Sequence, residues 1–125
     1  MTSCQASPPP VSPARAYALV AAGSAAGAVL RVLVGWLAAP LLGDAWSTVL
    51  VNVAGCFAIG ALSGLPARWW PLVGPGLLGG FTTFSAFIVL LDGASGIEAA
   101  LLIVVTLCAC PLAAWLGEKA VTRAK

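Results

Sequence analysis

The stretch from Trp69 to Gly93, WWPLVGPGLLGGFTTFSAFIVLLDG, decides how this chain folds. Its length and apolarity suit a helix that crosses a hydrocarbon core about 30 Å thick, which takes about 20 residues. Its middle does not suit an ordinary helix. Gly74, Pro75, Gly76, Gly79 and Gly80 depress helix propensity over two turns, and Thr82, Thr83 and Ser85 follow with hydroxyls able to bond freed backbone groups. Two readings stand. In one, the helix is broken near its centre and the break faces protein or a polar cavity, because bare backbone in lipid is costly. In the other, the helix is continuous and its glycines admit a close neighbour, in the small-xxx-small manner of Gly76 and Gly80.

The rest of the chain has the same character. It has 125 residues, 61% hydrophobic and 8% charged, with a mean hydropathy of +1.04. This composition is that of an integral membrane protein. Charges and prolines divide it into four apolar blocks, about 16–39, 46–65, 71–91 and 97–117. The expected fold is therefore all-α, with four transmembrane helices and no soluble domain. Residues 1–15, with four prolines and no apolar core, are expected to be a disordered cytoplasmic tail, not a signal peptide. Residues 16–118 form the membrane domain and 119–125 a basic C-terminal tail. Of the four cysteines, Cys56, Cys108 and Cys110 lie in apolar spans as small packing residues, and with Cys4 they suggest neither a disulfide framework nor a zinc site.

Histidine is absent, and Asp44, Asp92, Glu98 and Glu118 fall in loops or at helix ends. A proton-coupled transporter needs a titratable group within the membrane, and none is available. No hydrolytic triad can be assembled either. An enzyme is not expected, and neither is a nucleic-acid partner.

The spans do contain polar stripes. Gly23, Gly27, Arg31 and Gly35 recur every four residues, so Arg31 points toward a closely packed neighbour or snorkels to the far headgroups. Thr48, Asn52, Cys56, Gly60 and Gly64 form a second stripe. There Asn52 serves either as interhelical glue or as a source of amide donors to an anion. Phe81, Phe84 and Phe87 recur every three residues, on roughly one face of a helix. They are packing residues, or they turn positive ring edges toward an anion. In the fourth span Leu102, Thr106, Cys110 and Ala114 share a stripe, and Thr106 is its one strong hydroxyl.

With four spans, Arg15, Arg68, Lys119, Arg123 and Lys125 share one side of the membrane, while the opposite loops around Asp44 and from Asp92 to Glu98 hold no Lys or Arg. The positive-inside rule then places both termini in the cytoplasm.

The run G-L-L-G-G-F-T-T-F-S-A-F, Gly76 to Phe87, resembles the signature G-x-x-G-G-x-T-T-F-S-T-F of the Fluc/CrcB fluoride channels. G-S-A-A-G-A-V-L-R at 23–31 and V-N-V-A-G at 51–55 are similar to that family's first-helix and second-helix motifs. The resemblance implies a dual-topology dimer of two antiparallel four-helix subunits in the bacterial inner membrane. It exports fluoride passively and holds a central structural sodium ion (Na+). It further implies that the backbone carbonyls of Gly79 and Thr82 ligate the sodium. Asn52, Phe84, Phe87, Ser85 and Thr106 would line the pore, with Arg31 as a vestibule residue that draws in anions.

Two departures stand out. Ala86 replaces the last threonine of the signature, and Leu102, Thr106 and Cys110 occupy a stripe where family members often carry tyrosine and serines, which implies one impaired pore wall. The strong charge bias suggests a fixed orientation and pairing with an inverted paralogue (heterodimer), the alternative being pairing with itself (homodimer). The competing classes are a small four-helix antiporter of drugs or cations, which depends on a first-helix glutamate where this chain has Arg31, and a non-conducting partner subunit.

Overall fold

The computed structural model describes residues 12–123. Most of the expected N-terminal tail, with Cys4, and the last two residues lie outside them. Helix α1 spans Pro13–Leu42, α2 Asp44–Ala61, α4 Ser85–Asp92 and α5 Gly96–Arg123. Between α2 and α4 a π-helical segment, Leu72–Leu78, runs into the short helix α3, Gly79–Phe81. Four helical stretches are long and apolar enough to cross a membrane: Pro13–Leu42, Asp44–Ala61, Leu72–Asp92 and Gly96–Thr122. The protein is an all-α, multi-pass membrane protein.

Helix α1 starts earlier than its apolar block, with Pro13 at a first-turn position where a missing N–H costs nothing. It also ends later, passing Pro40 to Leu42, so no loop separates it from α2. A single residue, Gly43, makes the corner with φ 78° and ψ 163°, a backbone conformation that only glycine adopts without strain. Asp44 therefore opens α2, where a carboxylate suits the positive end of the helix dipole. At the other end α5 continues past residue 118 to Arg123, so Lys119 sits on a helix.

Glycine seams join the helices in two parallel pairs. Gly23 of α1 lies against Leu72 and Gly76, and Gly27 lies against Leu77 and Phe81, while Gly80 in turn meets the Ser24 backbone. A Cβ at any of these positions would overlap main-chain atoms. In the second seam Gly60 of α2 lies against Ala114, and Gly117 of α5 lies against Phe57 and Ala61. Contacts in the first pair advance together along both partners, and in the second Val49 packs with Leu102 while Gly60 meets Ala114, so each pair is parallel. Arg15, Arg68 and Lys119 consequently share one end of the bundle. A small apolar core of Val49, Phe87 and Leu102 ties α2, α4 and α5 together.

The third span combines both readings of its sequence. Its glycine-rich part remains helical, widened to π geometry around Pro75, whose missing N–H leaves one α-helical bond unmade. Gly76 and Gly80 are spent on the seam with α1, while Gly74 lies against the Trp70 ring and Gly79 faces the groove. The break comes later, over Thr82, Thr83 and Phe84, and Thr82 is extended with φ −78° and ψ 150°.

Candidate functional site

The break is held by side chains that replace helical hydrogen bonds. The Thr82 N–H and Oγ1 both donate to the Leu78 carbonyl at 3.0 Å, closing the last turn before the chain extends. The Thr83 N–H then donates to Asn52 Oδ1 at 2.8 Å, and Asn52 Nδ2 donates to the Thr83 carbonyl at 2.9 Å. One amide thus takes both backbone groups of a single residue. Thr83 Oγ1 accepts from the Ala86 N–H at 3.2 Å and lies 3.4 Å from Ser85 Oγ, so it caps the start of α4.

Two cavities flank this clamp. A groove of about 380 Å³ is lined by Asn52, Gly79, Thr82, Phe84, Thr106 and the thiols of Cys56 and Cys110. A second cavity of about 470 Å³ is lined by Arg31, Thr48, Ser85 and Ala86 with neighbouring apolar residues. Thr83 lines both. The structure thus gathers Asn52, Gly79, Thr82, Phe84 and Thr106 on one side of the break and sets Arg31 and Ser85 on the other. Phe87 belongs to neither cavity. It is 5% exposed and packs in the core with Val49 and Leu102, whereas Phe84 is 71% exposed.

Several readings of the sequence change here. Phe81, Phe84 and Phe87 do not share a face, because the break turns Phe84 outward while Phe81 and Phe87 are buried. Phe84 and Phe87 still touch, with ring centroids 6.2 Å apart and planes tilted by 36°. Arg31 does not meet a closely packed backbone. The close contacts of its stripe end at Gly27, Gly35 has nothing nearby, and Arg31 opens onto a cavity. Leu102, fully buried, is a core residue and does not line the groove, so only Thr106 and Cys110 of its stripe do. Thr106 Oγ1 is buried there, with no hydrogen-bond partner among the described residues.

Asn52, 7% exposed, is glue in this structure, and its amide retains one N–H on the groove. Thr83, one of the three hydroxyls expected to bond freed backbone groups but not counted among the site residues, holds the break through its backbone and caps α4 through its side chain. Its signal lay in a hydroxyl three residues before the Ala86 amide, a spacing that favours capping over helix continuation.

The family profile described as CrcB-like protein, Camphor Resistance (CrcB), matches residues 18–118. Among curated proteins the chain is 44% identical over 93 residues to "Fluoride-specific ion channel FluC 2" of Nocardia farcinica, covering 68% of this chain and 66% of that one. It is 51% identical over 78 residues to "Fluoride-specific ion channel FluC" of Rhizobium johnstonii, covering 55% and 62%. With the protein of the same name from Paramagnetospirillum magneticum it shares 37% identity over 121 residues, covering 85% and 94%. The chain thus spans just under two thirds of the first two relatives and nearly all of the third. With its four apolar helices and the whole of the interrupted third span inside the matched region, the chain belongs to the CrcB-like family.

Proposed function

We propose that this protein is a fluoride channel that lets the anion leave the bacterial cytoplasm passively across the inner membrane. The observation that carries the reading is the groove at the break, where one amide N–H, one unpartnered hydroxyl and one exposed aromatic ring converge within an apolar bundle. The names of its relatives supply the ion.

Each residue contributes a weak interaction. Arg31, in its cavity beside the break, raises the local anion concentration without standing in the groove. The Asn52 N–H, the Thr106 hydroxyl and the positive edge of Phe84 replace water one contact at a time. Ser85 offers a hydroxyl on the Arg31 side. Donors without full charge suit a path whose ion must leave as readily as it enters.

The groove of a single chain is open, and Gly79 and Phe84 are exposed on it. An inverted second subunit would close it, in an antiparallel dimer. The residues at the break fit a structural sodium ion: a hard cation takes oxygen ligands, and the carbonyls of Gly79 and Thr82 stand where the helix has opened. Such an ion would neutralise carbonyl dipoles gathered at the dimer centre. A specific observation favours a paralogous partner. Arg15, Arg68 and Lys119 share one end of the bundle, which gives a single orientation with both termini cytoplasmic.

Fluoride efflux from liposomes, followed with a fluoride-selective electrode, tests the function. Efflux is expected from the chain reconstituted with its inverted paralogue, and its loss on Phe84→Leu is expected to follow. Efflux unchanged by Phe84→Leu and Asn52→Ala would discredit the groove as the path.

A further inference from the structure

Two of the helical bonds lost at the break can be traced to a particular competitor. In a continuous α-helix the Gly79 carbonyl would accept from the Thr83 N–H, and the Thr82 carbonyl from the Ala86 N–H. Both N–H groups are spent elsewhere. The Thr83 N–H goes to Asn52 Oδ1 at 2.8 Å, and the Ala86 N–H goes to Thr83 Oγ1 at 3.2 Å. The helical acceptors these two donors forgo belong to Gly79 and Thr82, both residues that line the groove.

We infer that Asn52 and Thr83 are positioning residues that hold the third span open by capturing the two amide N–H groups that would otherwise close on Gly79 and Thr82, leaving those two oxygens free to ligate a hard cation. This rests on the cation site proposed above and adds the residues that keep it available. The physical reason is competition. A carbonyl already accepting a helical N–H is a poorer cation ligand, and inside a membrane no water stands by to take the displaced N–H. A second acceptor must be supplied by the protein. Asn52 is held for this by its own Nδ2 bond to the Thr83 carbonyl at 2.9 Å, which keeps Oδ1 aimed at the Thr83 N–H. Thr83 Oγ1 is kept near Ala86 by the nearby Ser85 hydroxyl, 3.4 Å away.

The two roles differ in what rescues them. Asn52→Asp keeps an acceptor oxygen and Asn52→Ala does not. Thr83→Ser keeps the hydroxyl and Thr83→Val does not.

The test is the melting temperature of the full-length protein purified in complex with its inverted paralogue, titrated with sodium chloride against N-methylglucamine chloride at constant ionic strength. A ligand that binds only the folded state raises stability with the logarithm of its concentration. The wild type is expected to rise with sodium. Asn52→Ala and Thr83→Val are expected to need about tenfold more sodium for the same rise, the scale of one competing hydrogen bond. Thr83→Ser is expected to retain the wild-type sodium response.

A merely structural role would lower every melting curve equally and leave its sodium dependence intact, and that result would overturn the inference while the cation site survived. A wild type that ignores sodium would remove the cation site and the inference with it. Thr83→Val removes one hydroxyl and leaves both Asn52 bonds in place, so it keeps the test decisive if Asn52→Ala fails to fold.

Discussion

The two halves of the third span invert what their compositions would lead one to expect. Leu72–Phe81 carries most of the glycines and the proline, yet it is helical throughout and packed along α1, with Gly74, Gly76, Leu78 and Phe81 buried. Ser85–Asp92 holds better helix formers and is the more exposed half, anchored chiefly by Phe87. The residues with least helix propensity therefore sit in the better-supported helix. The difference shows that glycine here acts through the neighbour it admits and not through the freedom it gives the backbone. Propensity is worth about 1 kcal/mol per glycine, and an apposed helix running the length of the seam outweighs it.

The comparison can be broken at its strongest point first. Gly27→Leu would drive a side chain into the Leu77 carbonyl and the Phe81 backbone. Separation of α1 from the first half is expected, at a cost of about 3 kcal/mol or more. Loss of the monodisperse peak in size-exclusion chromatography would record it. Gly35→Leu, which meets nothing within 4 Å, should leave that peak in place.

Phe87→Ala removes the anchor of the second half. In lipid the cost is lost packing more than transfer from water, so about 2 kcal/mol is expected, read as a lower melting temperature. An equal cost for Phe84→Ala would contradict the exposure of the two rings.

Asn52→Ala cuts both bonds that join α2 to the break, at about 1 to 2 kcal/mol in a membrane protein. Asn52→Asp retains the acceptor but sets a charge in the groove. Without the Nδ2 donor and with a buried charge, its melting temperature should fall at least as far as that of Asn52→Ala, and fluoride efflux further. Equal efflux from the two variants would mean that the groove does not sense charge.

The smallest change in stability belongs to Phe84→Leu, at less than about 0.5 kcal/mol for an exposed site. Its effect on efflux is expected to be the largest of the set. The halves would then be separable by experiment, with Leu72–Phe81 setting whether the bundle forms and the break setting whether it conducts.

Much of this was legible in the residues. Four apolar blocks, a charge bias toward one side and an interrupted third span follow from composition and spacing, since the cost of bare backbone in lipid leaves few alternatives. Gly79, Thr82, Asn52, Phe84 and Thr106, to which the family resemblance assigned roles, meet in one groove. What spacing could not show was direction. A three-residue aromatic repeat means one face only while a helix persists, and the extended Thr82 ends that phase, so Phe84 and Phe87 part company. Arg31 and Leu102 share stripes with seam and groove residues, but their neighbours stop short of Arg31 and enclose Leu102.

By itself, the sequence determined that the chain crosses a membrane four times and that its third crossing carries unusual chemistry, because hydrophobic length and glycine content are properties of consecutive residues. Only the tertiary structure decided where that crossing opens. The opening lies at Thr82 to Phe84, not at the glycines, because α1 holds the glycines in a helix and Asn52, thirty-one residues away, takes the N–H that would have carried the helix on.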